Sequence, residues 1–339
     1  MIISRTPFRI SFVGGGTDIP DYFKKQGGFV IVTTIDKFAY HLIKIPLHER
    51  DYKYNISYSK INNANNIRKI DHPLIREILK IFKIKKIDIH HDSDLPAQSG
   101  LGTSSAFGVG LFKCMCQLKK LKISKFKVAK KIIDIERNIL KESGGYQDQI
   151  SASYGGFNKI TFKKDGSFFV KKIDIKKKYL KELEARILIT LIPRKYYSYD
   201  HSVAKILHKQ NVNLEMQKLH KLSLKAERYL LKGDITSFAK IIDQTWEIKS
   251  KFEKTSNKKI NEFYKIIKEK SFIDGGKLLG AGGGGYFMFI AKKNCVKKLK
   301  NYLSKRNLST ISPKFYKKGS EIIYDDFSKE FDRSLFYNR

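Results

Sequence analysis

The strongest constraint on the fold is a glycine- and serine-rich stretch, DLPAQSGLGTSSAF, which runs from Asp94 to Phe107. It follows Ile87 to His90, where apolar and polar residues alternate as they do in a half-buried strand. It precedes Gly108 to Leu121, which is apolar enough to predict a packed helix. The sequence therefore predicts a strand joined to a helix by a tight turn, and we interpret the rest of the chain around this unit.

The turn has the chemistry of an anion site. The first amides of a helix have no partner within the helix, so this end attracts negative charge. Glycines let the backbone come close to a phosphate, and the hydroxyls of Thr103, Ser104 and Ser105 are able to bind a phosphate oxygen or a magnesium ion. A plain Gly/Ser loop with a serine cap explains the same letters, and no GKS or GKT follows as in a Walker A loop.

The length and composition predict a globular protein with two lobes. A chain of 339 residues exceeds what one core usually serves, and its 41% hydrophobic content is enough to fill two. No apolar run approaches the roughly 18 to 20 residues of a membrane span, and the N-terminus lacks the apolar block of a signal peptide. We therefore expect a cytoplasmic protein without a membrane partner. Three cysteines support neither a disulfide framework nor a zinc site.

The formal net charge of +35 is the one unusual feature of the composition. Such a charge favours nucleic acid or an anionic membrane as a partner. The lysines, however, are spread along the whole chain and often stand beside isoleucine, as on amphipathic surfaces. We expect no specific nucleic-acid partner, and a basic nucleic-acid-binding protein is the non-enzyme alternative.

The chain opens with a predicted strand over residues 2 to 13, which ends in Gly14-Gly15-Gly16-Thr17-Asp18. Three successive glycines remove all side-chain bulk from this turn and leave one carboxylate at its rim. Arg9 lies just upstream, so a cation and a carboxylate are able to face one cavity. The alternative is a plain turn with Asp18 in solvent.

Further strands are predicted at Phe29 to Ile35 and Phe38 to Ile45. The polar region from His48 to Lys69 is predicted to be a surface excursion with little regular structure. Lys164-Asp165-Gly166 predicts a hairpin turn between Phe157 to Phe162 and Ser167 to Lys172.

A second turn of interest follows an amphipathic helix that Ser124 is predicted to cap. Glu136 and Arg137 lie in the last turns of this helix, which is predicted to stop before Gly144-Gly145. Asp148 follows directly, and a turn of this kind is able to hold a carboxylate rigidly at a cleft. The alternative is that Asp148 caps the next element.

The second half is predicted to be mostly helical, beginning near Leu180 to Arg186, where the composition changes. Seven of the eleven residues from Gly275 to Gly285 are glycine, which costs too much chain entropy for a simple connector. We expect the backbone there to approach a ligand or the other lobe. Strands near Ser309 to Phe315 and Ile322-Ile323 are predicted to complete an α+β second lobe.

Three glycine-rich motifs in this order, with a GYQD turn between the second and third, resemble the galactokinase, homoserine kinase, mevalonate kinase and phosphomevalonate kinase (GHMP) superfamily. The motifs are RTPFRISFVGGGTD, SDLPAQSGLGTSSAF and GGKLLGAGGGGYFMF. They are most similar to kinases that act on D-glycero-D-manno-heptose 7-phosphate and to the related fucokinases. Galactokinases carry Glu-His where this chain has Gly15-Gly16, and this difference argues against galactose as the substrate.

The resemblance implies an α+β, two-lobed GHMP kinase fold, with a ribosomal S5 domain 2-like N-terminal lobe and a ferredoxin-like C-terminal lobe. It implies an ATP-binding domain over residues 1–184 and a C-terminal domain over 185–339. The implied reaction is ATP- and Mg²⁺-dependent phosphorylation of the anomeric hydroxyl of the heptose 7-phosphate, in the biosynthesis of nucleotide-activated heptose for surface polysaccharide. An L-fucokinase-like or other GHMP sugar 1-kinase is the alternative. We expect a monomer or homodimer whose partners are ATP and a sugar phosphate.

The resemblance also implies roles for particular residues. Asp148 and Arg9 match the catalytic pair of the family. Glu136 and Ser104 match its metal ligands, and Thr103 or Ser105 is the alternative to Ser104 as the hydroxyl that binds the metal. The phosphate loop would comprise Ser99, Gly100, Leu101, Gly102, Thr103, Ser104 and Ser105. The substrate site would comprise Gly15, Gly16, Thr17, Asp18, Gly282, Gly283 and Gly284. Arg194, Lys195 and Lys277 are candidates for a second anion site, which a phosphorylated sugar requires.

Overall fold

The computed structural model describes residues 1–48, 50–192, 210–252 and 255–327, and it contains two antiparallel-rich sheets with helices packed on them. The strands, in chain order, are β1 (Ile2–Val13), β2 (Gly28–Lys44), β3 (Tyr54–Ser57), β4 (Ile61–Ala64), β5 (Ile87–Ser93), β6 (Phe157–Phe162), β7 (Phe168–Lys172), β8 (Ile187–Ile192), β9 (Ile273–Leu278), β10 (Gly285–Ala291), β11 (Thr310–Ile311), β12 (Phe315–Tyr316) and β13 (Glu321–Asp325). The predicted two-lobed α+β architecture is confirmed.

The helices are α1 (Pro20–Gln26), α2 (Pro73–Ile81), α3 (Thr103–Leu118), α4 (Lys125–Asp134), α5 (Gln147–Tyr154), α6 (Lys177–Arg186), α7 (Gln210–Lys232), α8 (Ile235–Lys249), α9 (Lys258–Glu269) and α10 (Val296–Ser304). The predicted strand–turn–helix unit is β5, the glycine-rich turn and α3. This helix is buried along most of its length and includes the buried Cys114 and Cys116. The predicted cap of α4 is confirmed, because the Ser124 hydroxyl accepts the Lys127 amide at 3.2 Å.

The nine-stranded first sheet is organised around β2. The prediction of two strands over this segment was wrong, because β2 is continuous for 17 residues and pairs with β1 along its length. Its first half pairs with β6 and its second half with β5. The prediction of little structure between His48 and Lys69 was also wrong, since β3 pairs in parallel with β5 and buries Tyr54 and Ile56.

The chain ends by returning to the first sheet. β12 pairs with β2, and β13 pairs with β1 at the sheet edge, where Arg5 and Glu321 form an ion pair at 2.7 Å. The prediction that the last strands complete the second lobe holds for β11, which pairs with β8. It was wrong for β12 and β13, because their partners lie more than 270 residues earlier in the chain and no local pattern records that pairing.

The second sheet has the strand order β11-β8-β10-β9 and is antiparallel throughout. It begins with β8, so we propose a domain division near residue 185, with β12 and β13 returning to the first sheet. The late glycine stretch forms the turn that joins β9 to β10, and this turn faces the first lobe. Among the described residues, no helix combines the length and the apolar character that crossing a bilayer requires.

Candidate active site

Asp148 and Arg9 form the centre of the site. Arg9 lies on β1 and donates from Nε to Asp148 Oδ1 at 2.7 Å and from Nη2 to Oδ2 at 2.9 Å. The arginine side chain is buried at 4% exposure, whereas Asp148, in the first turn of α5, is 27% exposed. A bidentate pair of this kind fixes the carboxylate in one orientation. Arg9 therefore fixes the position of Asp148, and Asp148 faces a cleft.

The central loop is anchored to both lobes. Arg9 donates its backbone amide to the Leu101 carbonyl at 3.0 Å and its Nη1 to the Gly100 carbonyl at 2.6 Å. From the second lobe, the Tyr286 amide donates to the Ser99 carbonyl at 2.8 Å. The side chains of Ser99 and Leu101 are buried, and their carbonyls already accept these hydrogen bonds. The loop ends at Gly102, where α3 begins without a side-chain cap.

Asp18 is buried beside the turn that carries Asp148. Its Oδ1 accepts the Gly16 amide at 2.8 Å, and its Oδ2 accepts the Gln147 amide at 3.3 Å. Burial raises the pKa of Asp18, and the nearby charge of Asp148 raises it further. Gly145 has to be glycine, since a Cβ there would overlap the Asp18 carboxylate. Thr17 is fully buried and donates its hydroxyl to Gly14 and Phe29 carbonyls, so it holds the turn together.

Glu136 is buried beside Gly108 of α3, in a short π-helical segment that continues α4. Its Oε2 accepts a hydrogen bond from Gln149 Nε2 and lies 3.5 Å from Arg137 Nη2. Its Oε1 has no hydrogen-bond partner among the described residues. Burial raises the pKa of Glu136 to about 7. The residue thus has one buried carboxylate oxygen available for a ligand.

Asp148 and Asp18 share a small cavity of about 100 Å³, which we call the inner cavity. Of the predicted site residues, it brings together Arg9, Gly15, Gly16, Asp18, Gly100, Gly102, Thr103 and Asp148. The rest of its lining comes from both lobes: Ser11, Ile19, Arg137, Gly144, Gly145, Gln147, Lys249, Lys277, Gly280 and Ala281. From the late loop, Gly280 and Ala281 line the cavity, whereas Gly283 donates its amide to the Thr255 carbonyl at 3.0 Å.

A larger cavity of about 780 Å³, the outer cavity, is also lined by residues of the central loop, among them Ala97 and Gln98. It shares Thr103 with the inner cavity and also contains Ser104 and Phe107 of α3. The ring of His72 stacks on Phe107 at 4.8 Å and an angle of 5°. The volume is in the range of about 300 to 1,000 Å³ that small-molecule sites occupy. Two cavities therefore meet at the N-terminus of one helix.

Several residues of both cavities were not predicted from the sequence. Tyr58 and His72 of the outer cavity lie in or just beyond the region predicted to lack structure, and no local motif marks them. Lys249 ends α8 and donates to the Gly15 carbonyl at 3.0 Å, across 234 residues of sequence. Of the proposed second anion site, Lys277 lies in the inner cavity, whereas Arg194 and Lys195 fall outside the described residues.

A glycine-rich helix N-terminus, a rigidly held carboxylate and a cleft between two lobes are the features of a phosphoryl-transfer enzyme. Comparison with known families gives the same class: residues 68–156 match the GHMP kinases N terminal domain, and residues 226–309 match the GHMP kinases C terminal domain. The chain belongs to the GHMP kinase family.

Among curated proteins, the chain is 30% identical over 317 residues to the D-glycero-alpha-D-manno-heptose 7-phosphate kinase of Campylobacter jejuni, covering 88% of this chain and 93% of the relative. It is 24% identical over 358 residues to the galactokinase of Thermosipho africanus, covering 93% of this chain and 97% of the relative. The chain is therefore a sugar kinase, a phosphotransferase whose acceptor is a hydroxyl group of a sugar.

Solved structures share the whole architecture. A putative sugar kinase from Campylobacter jejuni superposes with a TM-score of 0.72 at 27% identity, covering 95% of this chain and 97% of the other. A D-glycero-D-manno-heptose 1-phosphate kinase from Bacteroides thetaiotaomicron superposes with a TM-score of 0.78 at 24% identity, covering 96% and 100%. The described lobes thus have the GHMP kinase fold.

Proposed function

We propose that the chain phosphorylates the anomeric hydroxyl of D-glycero-D-manno-heptose 7-phosphate to give the 1,7-bisphosphate, in the biosynthesis of nucleotide-activated heptose for surface polysaccharide. The observation that carries this proposal is the bidentate Arg9–Asp148 pair in a cavity that adjoins the N-terminus of α3. The similarity to the Campylobacter jejuni heptose 7-phosphate kinase supports this choice of sugar.

The two cavities suggest where each substrate binds. The outer cavity, with its stacked His72 and Phe107 rings, is suited to the nucleoside of ATP. The phosphates would then follow the loop from Gly102 to Ser105 at the positive end of α3. The inner cavity would hold the sugar, with Asp18, Gly15 and Gly16 at its hydroxyls. Transfer would take place at Thr103, which both cavities share.

Asp148 would act as the general base. Arg9 orients its carboxylate towards the cavity, and the carboxylate accepts the proton of the anomeric hydroxyl as that oxygen attacks phosphorus. A bond forms between the sugar oxygen and the phosphorus while the bond from phosphorus to the ADP oxygen breaks. Because the transition state of such a transfer is loose, the protein contributes mainly alignment and compensation of charge.

The residues also fit a magnesium ion. Mg²⁺ prefers oxygen ligands and would lessen the negative charge of the phosphates. Glu136 offers a buried Oε1 that accepts no hydrogen bond from the described residues. This oxygen lies 3.6 Å from where a Cβ of Gly108 would stand, and Ser104 is one helical turn away on the same face of α3. That placement favours Ser104 over Thr103 and over the buried Ser105 as the hydroxyl ligand.

An L-fucokinase-like activity is the second candidate. The chain is 24% identical over 319 residues to the bifunctional fucokinase/GDP-fucose pyrophosphorylase of Arabidopsis thaliana, although it covers only 29% of that protein. Both activities phosphorylate an anomeric hydroxyl, so the chemistry proposed for Asp148 serves either one. They differ in whether the acceptor already carries a phosphate.

The test is ADP release measured by a coupled assay with heptose 7-phosphate, free heptose, L-fucose and mevalonate, each with and without Mg²⁺. We expect kcat/KM to be highest for the 7-phosphate by at least about tenfold, because a phosphate contact is worth more than 1.4 kcal/mol. We also expect activity to be lost without Mg²⁺. A preference for L-fucose over the 7-phosphate would replace the heptose proposal with the fucokinase one.

A further inference from the structure

The inner cavity contains two lysines that form no ion pair with a carboxylate among the described residues. Lys249 comes from α8 and Lys277 from β9, so both belong to the second lobe. Lys249 Nζ donates to the Gly15 carbonyl at 3.0 Å, and Lys277 Nζ donates to the Ser11 and Phe12 carbonyls at 3.1 and 3.3 Å. Within the described part of the chain, neither ammonium lies within ion-pair distance of a carboxylate.

The other charges of this cavity are already matched. Arg9 pairs with Asp148, and Arg137 lies beside Glu136 and donates to the Gly145 carbonyl at 3.1 Å. Asp18 is the remaining carboxylate, and its oxygens already accept two backbone amides. The cavity therefore has two ammonium groups and at most one carboxylate to balance them.

Burying an ammonium group without a counter-ion is unfavourable. Lys277 is only 5% exposed, and its burial lowers its pKa well below the ordinary value. The charges of Lys249 and Arg9 also lower this pKa, and the charge of Asp18 opposes them. Burial lowers the pKa of Lys249 as well. An anion that enters the cavity would stabilise the charged form of both lysines. Buried groups with strongly shifted pKa values are typical of ligand sites.

We propose that Lys249 and Lys277 bind the phosphate that the sugar already carries, and so make the enzyme selective for a phosphorylated acceptor. This inference rests on the proposed function, because it takes the sugar to lie in the inner cavity with its anomeric hydroxyl at Asp148. Asp18 and Gly15 lie between Asp148 and Lys249, because Asp18 accepts the amide next to Asp148 and Gly15 accepts a hydrogen bond from Lys249. The sugar would extend past these two residues.

The position of the lysines on the second lobe has a structural consequence. Arg9, Asp18 and Asp148 belong to the first lobe, so a sugar phosphate held at both ends would join the two lobes across the cleft. The contacts of the lysines with the Ser11, Phe12 and Gly15 carbonyls already cross it. A phosphate would replace neutral carbonyl acceptors with a charged one, which is the stronger hydrogen-bond partner.

The experiment compares kcat/KM for heptose 7-phosphate with kcat/KM for free heptose, at saturating ATP, in the wild type and in Lys249→Met, Lys249→Arg and Lys277→Met. We expect the preference for the 7-phosphate to fall by about a hundredfold in the two methionine variants, and by less in Lys249→Arg, which keeps the charge. Lys240→Met, an exposed position on the same helix α8, is the control and should keep the wild-type preference.

Three outcomes separate the inference from the proposed function. An unchanged preference in Lys249→Met, with the wild type preferring the 7-phosphate, would overturn the role of the lysines and leave the proposed substrate standing. An equal loss with both acceptors would also overturn it, because the lysines would then act on the transferred phosphoryl group or on lobe packing. A wild type without any preference for the 7-phosphate would overturn both. Lys249 is only partly buried, so its variants keep the test valid should Lys277→Met fail to fold.

Discussion

Asp148 is the residue whose position explains most about the site. Its two oxygens accept hydrogen bonds from Arg9, and its backbone neighbour Gln147 donates an amide to Asp18. One turn of chain therefore positions both the carboxylate that we propose as the general base and the carboxylate that we propose to bind sugar hydroxyls. Gly144 and Gly145, which precede it, leave room for this arrangement.

Replacement of Asp148 by asparagine removes the proposed base and keeps the size of the side chain. We expect kcat to fall by at least about a hundredfold, with little loss of ATP affinity, since general-base catalysis typically contributes that much. Steady-state kinetics and nucleotide binding measure the two effects separately. Asp21→Asn, at an exposed position on α1, is the control. Turnover near the wild-type rate in Asp148→Asn would remove this residue from the mechanism.

The histidines around Phe107 predict a dependence of stability on pH. Burial lowers the pKa of His72 to about 4, and burial also lowers the pKa of His41 and His91. Between pH 6.5 and 4 the unfolded chain binds protons that the folded protein does not. The stability that these neutral, buried histidines contribute is therefore present above about pH 6.5 and is lost as the pH falls towards 4.

The test is the free energy of unfolding by denaturant at pH 7 and pH 5. Of the loss expected in the wild type, His72 accounts for about 2 kcal/mol. We predict that His72→Phe reduces the loss by about that amount, whereas His90→Phe, at an exposed position, leaves it unchanged. Equal pH dependence in all three proteins would contradict the assignment to His72.

At the scale of elements, two glycine-rich turns from different lobes contact each other. A Cβ added to Gly280, which has a φ of +79°, would lie 2.5 Å from the Cα of Gly100 in the central loop. Real Cβ atoms do not approach a backbone that closely, so any side chain at residue 280 has to displace one of the turns. The late turn thereby fixes the loop that is proposed to bind the phosphates.

Gly280→Ala tests this contact, and Gly166→Ala is its matched control. Gly166 has a similar φ of +88°, but nothing lies within 4 Å of a Cβ added there. Both variants introduce backbone strain of about 1 to 2 kcal/mol, and only Gly280→Ala also displaces the loop. We expect kcat/KM for ATP to fall at least about tenfold in Gly280→Ala and to stay near the wild-type value in Gly166→Ala. Equal kinetics in the two variants would show that the contact does not position the loop.

Local patterns predicted most of the elements that build the site. The β5–turn–α3 unit, the cap at Ser124 and the Asp18 and Asp148 turns are all encoded within about fifteen residues of sequence, so periodicity and glycine placement were sufficient. The continuity of β2 was not predicted, because its two halves look like separate strands until their different partners are known. α1 and α2 are short and were missed for the lack of a long periodic pattern.

For the molecule as a whole, the information that sequence reasoning lacked is long-range pairing. The return of β12 and β13 to the first sheet and the approach of Lys249 to Gly15 depend on tertiary contacts that no local segment specifies. The charge of +35 gave little guidance, since its many lysines look alike in sequence. Lys277 was singled out from the sequence, whereas only the fold distinguishes Lys249, which also lines the inner cavity, from surface lysines such as Lys240.

A ligand that binds only the folded protein stabilises it. At a free Mg·ATP concentration 100 times its Kd, we expect about 2.7 kcal/mol of added stability and a Tm higher by several degrees. Asp148→Asn should keep this shift, because its change lies on the acceptor side of the cleft. Absence of a shift in the wild type would contradict nucleotide binding by the folded chain, and its loss in Asp148→Asn alone would assign that residue to nucleotide binding.

In the proposed mechanism, Asp148 is held by Arg9 beside the loop from Gly102 to Ser105 and activates the anomeric hydroxyl of a sugar phosphate. The most direct measurement is ³¹P nuclear magnetic resonance of the products formed from ATP, Mg²⁺ and heptose 7-phosphate by the wild type and by Asp148→Asn. We predict one new phosphate resonance coupled to the anomeric proton, equal in amount to the ADP formed, in the wild type and almost none with the variant over the same time. This mechanism would be ruled out by a phosphate on another carbon, by release of free phosphate alone, or by product formation by the variant at the wild-type rate.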